Sequence, residues 1–277
     1  MMIKKRAFIS FDEPCEFECK HCYTYGIDRP RNRSMDEIVA DIKDQCFDIV
    51  FVSQKNDNFS NPSLGIELCQ KAFQRYSTNL FIITRNVLNQ NVISQLIELR
   101  DKMAEKGKHL FIAVSLNAIE SYSVSENVSL IHSPSERIEF IKKLALNNFR
   151  PIVMIRPVFP DSMIPVTECC RIVRELKGYI SCVVTGGLGI NKDILKRLGL
   201  KENDFKYISD QTYLQGAIDC EIKFIDVDSE LNQIKKECEK LNIPFFLHSM
   251  PALNYLLAHS QEKVYKEFDW EHNQTVL

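Results

Sequence analysis

At 277 residues with 45% hydrophobic side chains, the chain is long enough for one large core, and α/β barrels commonly have this size. Its 35 basic and 37 acidic residues leave a net charge of -2 and are spread along the whole chain, which excludes a basic tail or stripe suited to a phosphate backbone. No run of about 18 apolar residues occurs, and the N-terminus leads into an alternating strand rather than a signal-peptide core, so a soluble, cytoplasmic protein with reduced thiols and no membrane partner is expected.

Short apolar, β-branched runs recur at residues 6–11, 48–53, 80–84, 109–116, 151–159 and 180–186, at the spacing of a βα repeat. Ser34 with Glu37 forms a capping-box pattern ahead of the first helix, in which hydroxyl and carboxylate satisfy free backbone donors of the first turn. Asn61-Pro62 and Ser133-Pro134 each place a cap residue before a proline at the first helical position. Helical patterns over 89–106, 134–147, 161–177 and 192–198 complete the alternation, so six strands each precede a helix. Strands joined this way run parallel. The expected architecture is α/β, a partial (β/α)6 TIM-type barrel over residues 1–204, with a doubly wound open sheet as the structural alternative. Beyond that the pattern loosens into a strand at 221–226, a helix at 229–241, a strand at 244–248 and a helix at 252–259. Residues 205–277 read as a C-terminal βα extension that closes or caps the barrel.

Of ten cysteines, Cys46, Cys69, Cys182, Cys238 and the Cys169-Cys170 pair fall in apolar or amphipathic segments and read as small buried residues. Cys15, Cys19 and Cys22 differ, because all three fall in the loop that leaves the first strand. At this cysteine frequency the spacing would arise by chance about 0.01 times in such a chain. Three thiolates on one loop can wrap three corners of an iron-sulfur cube. A fourth would make a closed site, whereas three leave one iron open to a substrate or cofactor. Zinc, with His21 or a distant residue as fourth ligand, is the competing metal, although structural zinc sites usually pair two knuckles and no second one follows. The nearby Arg29, Arg31 and Arg33 read as a solvated basic loop.

This cysteine spacing, with His21 before and Tyr23 after the last thiol, on a loop after the first strand of a βα barrel, resembles the radical S-adenosylmethionine superfamily over about residues 6–190. The resemblance implies a [4Fe-4S] cluster on Cys15, Cys19 and Cys22, S-adenosyl-L-methionine at the open iron, and an electron donor such as flavodoxin or ferredoxin. It further implies a 5′-deoxyadenosyl radical that abstracts hydrogen from a substrate, with Tyr23 beside the cofactor.

Where much of the superfamily carries Gly-Gly-Glu-Pro after the second strand, this chain has residues 53–62 from Ser53 to Pro62. That segment is more similar to the Thr-Asp-Pro-aromatic of the branch around spore photoproduct lyase, with Ser53 at its start and Asp57 and Phe59 as its Asp and aromatic. Thr84-Arg85-Asn86 is similar to that branch's Thr-Lys-Ser, which makes Arg85 a contact for the methionyl carboxylate. The segments 133–137 and 156–160 look like the same branch and make Arg156 a second carboxylate contact. Ser115 and Asn117, ending the fourth strand, would meet the ribose. Gly186-Gly187-Leu188-Gly189 would let backbone approach the adenine, or form a plain turn.

The hydrogen-donor cysteine of the photoproduct lyases is missing from 53–62, so photoproduct repair itself is not expected. Cys220 as donor and His248 as acid or base are the remaining catalytic candidates. The tail holds only Cys220 and Cys238, too few for the second cluster of peptide-modifying relatives. The expected substrate is a nucleotide, nucleic-acid base or other small molecule at the barrel mouth. Radical modification of a peptide or protein partner, or a non-catalytic iron-sulfur or zinc binding protein, are the alternatives.

Overall fold

The computed structural model describes residues 2–13, 15–25, 33–42, 47–53, 56–208, 212–213 and 221–259. Its main sheet has seven parallel strands. Six come in sequence order, β1 (Arg6–Phe8), β2 (Ile49–Phe51), β3 (Asn79–Thr84), β4 (Leu110–Ser115), β5 (Ile152–Val158) and β6 (Cys182–Gly187). Between them run α1 (Met35–Ala40), α2 (Pro62–Tyr76), α3 (Gln90–Glu105), α4 (Pro134–Leu146) and α5 (Val166–Glu175). Two short strands follow, β7 (Gly189–Ile190) and, after α6 (Lys192–Leu198), β8 (Thr212–Tyr213), then β9 (Glu221–Phe224), α7 (Asp228–Leu241), β10 (Phe245–Phe246) and α8 (Ser249–Ala258). β10 pairs parallel with β6 and becomes the seventh strand of an open sheet curled into a half-barrel.

The helix starts follow from local chemistry. Ser34 and Ser133 complete capping boxes with Glu37 and Glu136, while Asn61, Asn89 and Asn191 cap α2, α3 and α6 through their side chains. α5 begins at Val166, later than the sequence pattern suggests. Pro165 precedes it, and the Asp161 carboxylate accepts the Val166 N–H at 2.8 Å, closing a turn where the helix would otherwise extend.

Strand alternation sorts the core into two faces. Val50, Leu80, Ile82, Ile112, Val114, Val153, Ile155 and Val183 pack outward under the helices. Ile49, Phe51, Phe81, Phe111, Ala113, Ile152, Met154, Cys182, Val184 and Phe246 line the concave face. Register puts Phe8 opposite Phe51, Phe51 opposite Phe81 and Phe81 opposite Phe111, an aromatic row across four strands. Below it lies α8, which buries Ala252, Leu253 and Leu256 in the same cluster. Asn254 exchanges two hydrogen bonds with the backbone of Ile3, and Arg150 donates to the carbonyls of Leu256 and His259, so α8 is tied to both sides of the concave face.

The strand expected at 221–226 forms, but β9 runs antiparallel to β7 and β8 in a separate three-stranded sheet and is not part of a parallel βα unit. Gly189 permits that pairing, since a Cβ there would lie 2.6 Å from Ile222 Cγ2. Among the described residues no helix is long and apolar enough to cross a membrane.

Candidate functional site

Above the aromatic row, at the C-terminal ends of the strands, lies a cavity of about 410 Å3. Its floor includes Phe8, Phe51, Ile83 and Met154, and Cys15, Cys19 and Cys22 all open onto it. The cysteine loop is anchored at its entry by two asparagines. Asn58, fully buried, accepts from Phe11 N at 3.0 Å and donates to Ile9 O at 3.2 Å, while Asn56 Nδ2 donates to the carbonyls of Phe11 and Glu13. Arg33 grips Asp12 with two charge-assisted bonds of 2.7 and 2.6 Å and reaches Asp41. It is therefore a structural clamp rather than a solvated residue; Arg29 and Arg31 lie outside the described residues.

Glu18 takes a left-handed conformation (φ 46°) that turns the chain into Cys19, and Cys22 N donates to Cys19 O at 3.0 Å. From across the fold, Arg197 of α6 donates to Lys20 O at 2.9 Å and to Cys22 O. Lys20 N and the His21 ring bond the Ser125 carbonyl, at 3.0 and 3.1 Å. With Nδ1–H donating there, Nε2 of His21 is left to accept from Arg85 Nη2 at 3.2 Å. Burial, then the Arg85 charge, push His21 down to about 3, so the imidazole is neutral. Both ring nitrogens are committed, which disfavours His21 as the fourth ligand of a zinc site.

Arg85 ends this strut. It pairs with Glu126, whose other oxygen meets Arg137 at 2.6 Å; Glu126 and Arg137 have no solvent exposure. Arg85 also donates to Arg156 O at 3.3 Å. Although burial opposes its charge, the fields of Cys19, Glu126 and Asp57 together hold Arg85 above its ordinary range. Asp57 accepts from Arg85 N at 2.6 Å, Thr84 Oγ1 at 3.0 Å and Phe59 N at 2.9 Å; burial nonetheless lifts it to about 6.

The thiols sit in an apolar shell with Phe17, Ile131 and Tyr122. Burial pushes Cys19 up to about 12, with Arg85 opposing and Glu126, Cys22 and Cys15 adding. Cys15 is raised by burial and then by Asp57. Cys22 Sγ lies 3.0 Å from Thr24 Oγ1. Among the described residues, no three His, Cys, Asp or Glu side chains converge closely enough to hold one metal ion.

Of the other residues singled out in the sequence, Tyr23, Ser53, Asp57, Arg85, Ser115, Arg156 and Leu188 line the cavity. Asn117 is buried behind it, facing Ser125 and Pro157 O. His248 is exposed at the end of β10, beside the cavity-lining Ser249, and Cys220 and Cys46 lie outside the described residues. Ser53 Oγ and Asn56 Oδ1 are buried and have no hydrogen-bond partner among the described residues. The loop supports Asn56, Asn58, Glu126 and Arg197 carry no motif. Arg137 did leave a signal, since it shares the buried face of α4 with Ile138, Ile141 and Leu144.

No family model and no curated protein matches the sequence. The fold is shared with SuiB from Streptococcus suis in its S-adenosylmethionine-bound structure, at TM-score 0.57 and 11% identity, over 87% of this chain and 50% of that one. It is likewise shared with a radical SAM methyltransferase from Sphaerobacter thermophilus, at TM-score 0.53 and 14% identity, over 88% of this chain and 65% of that one. The chain thus spans between half and two-thirds of the length of these structures, and at such identities the likeness is one of fold.

Proposed function

We propose that this chain is a radical S-adenosylmethionine enzyme that binds a [4Fe-4S] cluster through Cys15, Cys19 and Cys22. The observation carrying this reading is that three free thiols from one loop share a half-barrel cavity with two partnerless buried polar atoms, Ser53 Oγ and Asn56 Oδ1. The donor set fits such a cluster. The thiols are packed among Phe17, Ile131 and Tyr122, a low-dielectric shell of the kind that tunes a cluster, and Arg85 stands close enough to offset thiolate charge. Held by Cys15, Cys19 and Cys22, the cluster would supply the electron for reductive cleavage of S-adenosylmethionine, and the cofactor would supply the hydrogen-abstracting group. The shared fold with a protein solved with S-adenosylmethionine adds support.

In this reading the chain's own residues bind, orient and shield. Ser53 and Asn56 present the acceptors that the methionyl amine needs. Ser115 and Tyr23 offer polar contacts to the nucleoside, and the run Gly187 to Gly189 brings backbone to its base. The aromatic row and α8 keep water out from below. Asp57 and the Arg85 strut hold the cysteine loop and the end of β3 in one frame. The electron would come from a donor such as flavodoxin or ferredoxin in a reducing cytoplasm. The segments after β2, β3 and β5 resemble those of the branch around spore photoproduct lyase, and that resemblance alone favours a nucleotide or nucleic-acid base as substrate.

Anaerobic reconstitution with iron, sulfide and reductant tests the reading. The protein should turn brown and release 5′-deoxyadenosine from S-adenosylmethionine, and Cys19→Ala should lose both properties. Retained cleavage in that variant, or ligation of the wild-type cluster by four thiolates, would remove the proposal.

A further inference from the structure

The cavity holds more positive charge than the cysteine loop uses. Among the described residues three arginines line it, and one of them, Arg85, is paired with Glu126. Arg156 and Arg6 make no ion pair and no side-chain hydrogen bond among the described residues. Arg156 enters from the inner face of β5 at the cavity wall, where its guanidinium lies flat against Gly186; a Cβ there would come within 2.9 Å of Arg156 Nε. Arg6 stands on β1, the edge strand on the open side of the half-barrel, propped over the rings of Phe8 and Phe51 at 5.1 and 5.6 Å. Ser249, the first residue of α8, lines the same wall, and that helix has no side-chain cap on its N-terminal amides. The one carboxylate on the cavity among the described residues, Asp57, is already bonded to Thr84, Arg85 N and Phe59 N.

Arg6 is exposed at the rim, but Arg156 is partly buried, and an unpaired guanidinium held in a partly desolvated cavity is costly unless an anion arrives to meet it. The guanidinium fork matches the oxygens of a phosphate or carboxylate. Electrostatics agree that the groups face one another: burial, opposed by Tyr23 and then aided by Arg6, holds Arg156 below its ordinary range, and burial, Arg156 and Arg6 do the same to His248.

We propose that Arg156 and Arg6, with the amide end of α8, form an oxyanion site on the open side of the cavity that receives the phosphate or carboxylate of the substrate. This specifies the substrate class of the radical reading and rests on that reading only for the word substrate; the anion site stands on the arginines alone. Arg156, read from the sequence as a partner of the methionyl carboxylate, is thereby assigned to the second ligand.

The test is a titration of the reconstituted protein, saturated with S-adenosylmethionine, with inorganic phosphate and in parallel with acetate, followed by calorimetry. At least one anion should bind, and the one bound more tightly identifies the oxyanion. Arg156→Gln and Arg6→Gln should each weaken it roughly tenfold or more, as loss of a charge-assisted hydrogen bond implies, while Arg156→Lys retains part of the affinity and confirms an intact fold by its melting temperature. Failure of both anions to bind, equal binding by the glutamine variants, or displacement of the anion by S-adenosylmethionine would each overturn the proposal; the last would return Arg156 to the cofactor carboxylate. Release of 5′-deoxyadenosine, assayed separately in wild type, reports on the radical reading and not on this one.

Discussion

The Glu126 carboxylate is the point at which the fold and the thiol loop depend most on one group. Replacing it with glutamine keeps its shape and removes its charge. Both its oxygens are employed, one toward Arg85 and also 3.1 Å from Arg137 Nη1, the other 2.6 Å from Arg137 Nη2, and neither Glu126 nor Arg137 is exposed. Removing one member of a buried pair leaves an uncompensated charge and costs about 3–5 kcal/mol. Against a total stability of about 5–15 kcal/mol that is a large share. For a chain of this size it corresponds to a fall in melting temperature of about 6–15 °C, measured by circular dichroism on the apoprotein. The double variant with Arg137→Met should lose less than the sum of the single losses, because the second change removes the stranded cation. Since Arg85 also holds His21, Glu126→Gln should in addition retain less iron after reconstitution. A drop below about 1 kcal/mol, or strict additivity with Arg137→Met, would refute the claim that this carboxylate is the shared partner of both arginines.

Other substitutions probe separate parts. Glu168 accepts from the backbone N–H groups of Ile119, Glu120 and Ser121 and from the Ser121 hydroxyl; burial alone would raise its pKa, but these bonds together hold it below the usual 4.5. Its stabilisation is present above the unfolded value and lost as pH falls through the lowered folded one, so Glu168→Gln should flatten the acid limb of a stability-against-pH curve and cost about 1.5–3 kcal/mol at neutral pH. Gly65→Ala improves helix propensity by about 1 kcal/mol, yet its Cβ would lie 2.8 Å from Asn58 O. A net loss of about 1–2 kcal/mol in urea unfolding is expected, and a gain would show that the turn at 58–60 yields easily. Arg197→Met removes the donors to Lys20 O and Cys22 O from a partly buried surface position, so cluster retention should fall more than melting temperature.

The parallel strands and the caps were legible because each is encoded within a few residues. Ser34 with Glu37 and Ser133 with Glu136 announce their own helix starts, and the β-branched runs mark buried strands. The cysteine trio was equally local, three thiols in one short loop. What positions that trio was not. Asn58, Glu126, Arg137 and Arg197 act through partners 11 to 177 residues away, and a polar residue whose partner is that distant looks like any other polar residue. The direction of β9 was hidden for the same reason: its four residues fit either a parallel or an antiparallel neighbour, and only the close approach to Gly189 decides between them.

The same alternation that builds the core also builds the cavity rim. On β2, β4 and β5 the concave face reads Phe51, Ala113 and Met154, and two residues further along it reads Ser53, Ser115 and Arg156. One step of period two thus exchanges an apolar floor for polar groups at the strand ends, on a single rigid sheet. Because α8 fills the face below that floor, the cavity lies at the upper level, where the three thiols and Arg156 line the same space.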